Sequence, residues 1–118
     1  MEYMILIYSD EQAWANMPQD QLKAVYGEYM SYSQELAEAG VIRGGSELAP
    51  STSATTLSLR NGEVVTTDGP YAETKEQLGG YYLIEAENLD QALAWARKCP
   101  GVKAGHLEVR PLMKDPTA

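Results

Sequence analysis

Two apolar stripes at helical spacing, each set between short apolar runs, constrain this chain more than any other feature. In the first, Leu22, Val25, Tyr26, Tyr29, Leu36 and Ala37 recur at intervals that place them along one side of a helix. Pro18 suits the first helical position, Asp20 complements the positive end of the helix dipole, and Gly40 supplies the stop. In the second, Leu89, Ala92, Leu93 and Ala96 form the stripe, and Cys99-Pro100-Gly101 ends it. Asn88 with Gln91 three residues later gives that helix a capping-box start. Each helix therefore connects two strands, which is the arrangement of a layered α and β domain.

The strands can be read from the remaining segments. Tyr3 to Tyr8 is an apolar run with almost no polar interruption, as expected of a central strand buried on both faces. Glu11 to Met17 reads as a loop or short irregular turn. Val41 to Leu48 is a strand whose Gly44-Gly45 pair predicts a bulge or a close backbone approach. Ala49 to Ser53 is a loop through Pro50. Thr55 to Thr67 is a hairpin, with Asn61-Gly62 matching a type I′ turn in which both central residues need positive φ. Gly80 to Ala86 is a further strand. His106 to Leu112 is the last, with Leu107, Val109 and Pro111 alternating against His106, Glu108 and Arg110, and Lys114 to Ala118 is a polar tail.

With the hairpin set aside, the order is βαββαβ, so the predicted fold is α+β and ferredoxin-like with an inserted β-hairpin, a single domain over residues 1–118. Both helical crossovers lie on one face of the sheet. No third helix remains for the other face, so a homodimer is expected, with sheets facing each other and tyrosines between them or around a cavity. There are eight tyrosines and no phenylalanine, and a buried tyrosine hydroxyl needs a hydrogen-bond partner.

Charge narrows the partners. The net charge is −8 and the nine Lys and Arg residues are scattered, which argues against nucleic acid and against an anionic membrane surface. The opening MEYMILIYSDE has no basic segment, and its apolar run is far below the roughly 20 residues of a membrane span, so the expected setting is cytoplasmic. The single cysteine, Cys99, excludes an internal disulfide and reads as a small packed residue. One His and one Cys do not make a zinc pattern, and neither glycine pair belongs to a phosphate loop or dinucleotide fingerprint. No metal and no cofactor are expected, and no nucleophile motif is present.

The stretch Thr66 to Tyr82, TTDGPYAETKEQLGGYY, is the one least explained by strand and helix patterning. From Asp68-Gly69-Pro70-Tyr71 through Gly79-Gly80-Tyr81-Tyr82 it resembles the signature of the YCII-related, DGPF-type proteins, with Tyr71 in place of the usual Phe. The resemblance extends to Tyr3–Tyr8, to Ala39-Gly40-Val41 and to Val109-Arg110-Pro111, and so covers nearly the whole chain. It implies a dimeric α/β barrel of ferredoxin-like subunits. It also implies a histidine on the first helix near an aspartate; no histidine stands on this helix, and Tyr29 falls near that position. Genes of the DGPF type lie beside those of alternative sigma factors in many bacteria, which implies a regulatory or stress context.

Asp68-Gly69-Pro70 is first of all a turn, since Asp bonds its own downstream backbone, Gly tolerates any φ and Pro sets the next one. As a site, Asp68 at a strand end over a tyrosine-lined pocket is a candidate general acid or base, with Tyr29 orienting a substrate oxygen. Gly69, Pro70, Tyr71 and Lys75 are the accompanying ligand-binding candidates, Lys75 as a charge for a bound anion or for Asp68. Glu73, Lys75 and Glu76 otherwise make an ordinary solvated loop, Gly79-Gly80 allows close strand packing, and His106 is a lone histidine opening a strand. Two functions follow. One is a small-molecule-binding module with a tyrosine-lined cavity at or near the dimer interface. The other is an enzyme acting on a small apolar or aromatic substrate through Asp68 and Tyr29.

Overall fold

The computed structural model describes residues 1–115 and 117; positions 116 and 118 of the polar tail lie outside the described residues. Six strands and three α-helices follow in the order β1 (Glu2–Ser9), α1 (Glu11–Ala15), α2 (Gln19–Glu38), β2 (Ile42–Glu47), β3 (Thr55–Arg60), β4 (Glu63–Asp68), β5 (Gln77–Glu85), α3 (Leu89–Arg97) and β6 (His106–Pro111). Short 3₁₀ turns occupy Ser51–Ser53 and Pro100–Lys103. Four strands form an antiparallel sheet in the order β2-β5-β1-β6, and among the described residues β3 pairs only with β4. This is the ferredoxin-like α+β fold with an inserted hairpin.

β1 lies at the centre because its apolar run can pair on both edges, with Ile5 opposite Tyr82 of β5 and Val109 of β6. Its two faces differ. Tyr3 and Ile5 are buried beneath the helices with Ile84, against Tyr32 and Leu36 of α2, Ala92 and Ala96 of α3, and Cys99. On the reverse face Met4 and Leu6, opposite Leu83 and Tyr81, remain half-buried. Burial of β1 on both faces is thus not met within one chain, because both long helices cover the same face.

Local chemistry explains the helix ends. α2 begins after Pro18, which stands just outside the first turn, and Asp20 occupies that turn. The Asn88 side chain accepts the Gln91 amide at 2.9 Å, while the Gln91 side chain reaches back to the Glu87 amide at 2.7 Å, a capping box displaced by one residue. Of the stripe on α3, Ala92 and Ala96 are buried, but Leu89 in the first turn is exposed. The segment Glu11 to Met17, expected as a loop or short irregular turn, holds the five-residue α1 instead. Asp10 caps it by accepting the Gln12 amide at 2.9 Å, and five residues are too few to display a period.

The glycine pairs act at the β2–β5 seam. Arg43 is bulged between Ile42 and Gly44. A methyl group at Gly45 would lie 2.9 Å from the Tyr81 carbonyl oxygen, and one at Gly80 would lie 3.0 Å from that of Ser46. Both positions therefore need the bare backbone for the strands to approach. β5 starts at Gln77 rather than Gly80, since Leu78 and Gln77 continue the ladder opposite Tyr8 and Ser9 beyond a second bulge. At the hairpin turn, Asn61 and Gly62 have φ of 50° and 81°, as a type I′ turn requires.

Candidate functional site

α2 carries two neighbouring stripes. Tyr32 and Leu36 enter the core, while Leu22, Tyr26, Tyr29 and Ser33, spaced by four, three and four residues, face a cavity of about 820 Å³. α1 contributes Trp14 and Ala15 to its wall, β1 Ile7 and Ser9, β2 Ile42 to Glu47, and β5 Gln77 to Tyr82. The size falls in the range of small-molecule sites, and the wall is chiefly aromatic and aliphatic with a few polar groups, as such sites are.

Most of those polar groups are already engaged. The Tyr26 hydroxyl donates to Glu47 Oε1 at 2.7 Å, Tyr82 and Ser33 share a hydrogen bond of 2.7 Å, and Trp14 Nε1 donates to Ser9 Oγ at 3.2 Å. The Glu11 carboxylate accepts the amide of Ser51 at 2.9 Å and its hydroxyl at 2.7 Å, tying α1 to the Ser51–Ser53 turn. Rings brace one another edge to face, Trp14 with Tyr26 at 5.9 Å and Tyr32 with Tyr82 at 5.2 Å. The wall is consequently held in place before any ligand arrives.

Tyr29 is not engaged in this way. Among the described residues no hydrogen bond engages its hydroxyl, which lies close behind Gly101: a methyl group added there would be 2.8 Å away. Burial pushes its pKa well above the ordinary tyrosine value, assisted by the ionisable Cys99, Tyr82 and Glu47 around it. Burial likewise raises Tyr82 against the opposing effect of Ser33, and the bond to Glu47, then burial, raises Tyr26. These hydroxyls stay protonated, so their chemistry is donation to an acceptor atom rather than proton abstraction.

The signature residues stand elsewhere. Asp68 ends β4 with an exposed side chain, opposite Thr55, and neither it nor Gly69, Pro70, Tyr71 or Lys75 lines the cavity. The turn is held by backbone: the Gly69 amide donates to the Ala54 carbonyl at 2.7 Å, and Thr56 Oγ1 donates to the Gly69 carbonyl at 2.8 Å. Gly69 has φ of 100°, open to glycine and strained for other residues. Among the described residues Lys75 makes no ion pair, with Asp68 or otherwise, and no three His, Cys, Asp or Glu side chains are grouped as a metal site would need. His106 is exposed and shares a 2.8 Å contact with Glu76 Oε1.

Of the predicted site residues, then, only Tyr29 reaches the cavity within one chain. Trp14, Ser33, Glu47 and Tyr82 were not legible as site residues. For Ser33 the signal was the second stripe on α2, which core periodicity merges with the first; Trp14, Glu47 and Tyr82 stand on other elements and carry no local signal.

A ferredoxin-like domain with a preformed aromatic cavity between its helices and sheet is the class that fold and site define. The YCII-related domain matches residues 1–114, and the chain belongs to that family. It is similar to an uncharacterised protein of Rhizobium meliloti (strain 1021), 39% identical over 114 residues, which cover 95% of this chain and 92% of the relative. Among solved structures it is similar to 5-chloro-2-hydroxyhydroquinone dehydrochlorinase from Burkholderia phenoliruptrix AC1100 in complex with 2,5-dihydroxybenzoquinone. That likeness has a TM-score of 0.56 and 16% identity over 99% of this chain and 98% of the other, and it is a likeness of fold. No helix among the described residues is long and apolar enough to cross a membrane.

Proposed function

We propose that this protein binds a small, flat, largely apolar molecule carrying an acceptor oxygen, in the cavity between α1, α2 and the β2–β5 seam. The observation that carries the reading is the Tyr29 hydroxyl: half-buried in an aromatic wall and without a hydrogen-bond partner among the described residues. A ligand carbonyl or quinone oxygen would accept a hydrogen bond from that hydroxyl, while Trp14, Tyr26 and Tyr82 offer ring contacts. The solved neighbour's ligand, 2,5-dihydroxybenzoquinone, has this chemistry. The protein works as a homodimer in which the half-buried rows of Met4, Leu6, Leu83 and Tyr81 meet across two sheets.

Thermal shift and calorimetric titration against benzoquinones, hydroxyquinones and aliphatic acids of similar size test the binding. Quinones should raise the unfolding midpoint and the aliphatic acids should not. Tyr29→Phe should weaken binding about three- to tenfold, the worth of one hydrogen bond, with the fold intact. Equal affinity of Tyr29→Phe, or a midpoint unmoved by every compound, would sink the reading.

The enzymatic reading uses Asp68 as general acid or base and Tyr29 to orient the substrate, and it draws on the neighbour being a dehydrochlorinase. It requires Asp68, with Gly69, Pro70, Tyr71 and Lys75, to reach a cavity they do not line in their own chain, and therefore to come from a second copy. Turnover lost in Asp68→Asn with stability and binding kept is the outcome that supports it.

A further inference from the structure

The β3–β4 hairpin stands out from the body as an arm. Its register puts Leu57 and Leu59 on the same face as Val64 and Thr66, and Leu57, Leu59 and Val64 are 63%, 70% and 65% exposed. The arm's packing is chiefly between its own two strands, and among the described residues no other helix or strand packs extensively along it. At its root Tyr71 is 91% exposed. A lone two-stranded ribbon is at best marginal in water, and this one presents an apolar face to it.

The dimensions of the chain say how much surface remains to be covered. Its accessible surface is 8459 Å², whereas a compact monomer of its 13.0 kDa would expose about 6,300 Å². Its radius of gyration is 16.6 Å, against roughly 13.5 Å for a compact domain of this length. The excess of about 2,100 Å² is comparable in size to what one chain contributes to a large, obligate homodimer interface. The occupant must also tolerate the chain's charge of −8. Between Thr55 and Thr67 the charged residues are Arg60 and Glu63, which stand opposite each other in register and cancel, so two acidic copies can meet here without like-charge repulsion.

We infer that the arm docks on a second copy of this chain, with Leu57, Leu59, Val64 and Tyr71 as its anchors. Two-fold symmetry lets each copy cover the other's arm in one interface. The inference rests on the pairing proposed above in needing a second copy, and it assigns the arm, rather than the sheet face alone, a share of the contact.

Sedimentation velocity over a dilution series tests it on three full-length chains. These are the wild type, the triple variant Leu57→Ser, Leu59→Ser, Val64→Thr, and the sheet-face variant Leu6→Ser. The arm variant should dissociate at a concentration about 100-fold or more above wild type. A wild-type dimer matched by an equally tight arm variant overturns the inference, and if Leu6→Ser alone dissociates, the sheet-face pairing survives without it. A wild type monomeric at every concentration overturns both. Hydrogen exchange on the wild type gives the answer should the arm variant fail to fold: amides of Leu57 to Leu59 and Val64 to Thr66 should be protected in concentrated solution and exchange rapidly on dilution. Exchange at one rate throughout would overturn the inference.

Discussion

The body and the arm of this protein are both antiparallel β-structure, yet they are stabilised in opposite ways. In the body, β1 has a neighbour on each edge, and Ile5, Leu36 and Ile84 are fully buried between sheet and helices. In the arm, β3 and β4 have each other, a type I′ turn and two hydrogen bonds at the root, and their apolar side chains point into water. The difference teaches that a hairpin's register can be set by its turn and pairing alone, whereas its stability has to come from something packed upon it.

The largest effect that would break this contrast is on the core. Leu36→Ala should lower the unfolding free energy by about 2–5 kcal/mol, while Leu59→Ala, at a dilution where chains are apart, should change it by less than about 0.5 kcal/mol. Urea titrations of both measure this, and comparable losses would mean that the arm is packed within its own chain.

Alkali should separate the two regions next. Tyr29 and Tyr32 have pKa values raised by burial above the ordinary 10.0, and Tyr32 also donates to the Trp95 carbonyl at 2.8 Å. The unfolded chain releases these protons first, so their stabilisation is complete below about pH 10 and is lost as pH rises from there toward the folded values. Urea midpoints should therefore fall above that pH, less steeply in Tyr32→Phe. The arm from Thr55 to Asp68 holds no tyrosine, so a fall in midpoint equally steep in Tyr32→Phe would count against this account of the body.

The smallest of the three effects sharpens the view of the cavity wall. At Gly101 a methyl group would meet the Tyr29 hydroxyl at 2.8 Å, Ile7 Cγ2 at 2.9 Å and Leu107 Cδ2 at 3.1 Å. Gly101→Ala should destabilise by about 1–3 kcal/mol through overpacking. It should also weaken quinone binding by displacing Tyr29. Unchanged calorimetric affinity in a destabilised variant would detach Tyr29 from the ligand.

The sequence by itself determined the elements and their order, the short helix α1 excepted. Helical spacing on α2 and α3, Asn61-Gly62 at the turn, the Asn88–Gln91 cap and the glycine pairs each act over a few residues, where local chemistry decides. Tyr29 could be singled out because it falls near the first-helix position that the family resemblance implies, and Thr66–Tyr82 because a signature needs no geometry to be recognised. The tertiary structure decided what meets what. It joined Trp14, Tyr29, Glu47 and Tyr82, from four separate elements, around one cavity, and it held Asp68 apart on the arm. It also left Met4 and Leu6 uncovered, where the apolar run alone had implied two covered faces. Such contacts depend on where side chains far apart in sequence land once the strands and crossovers are packed together, and the order of elements along the chain does not contain that.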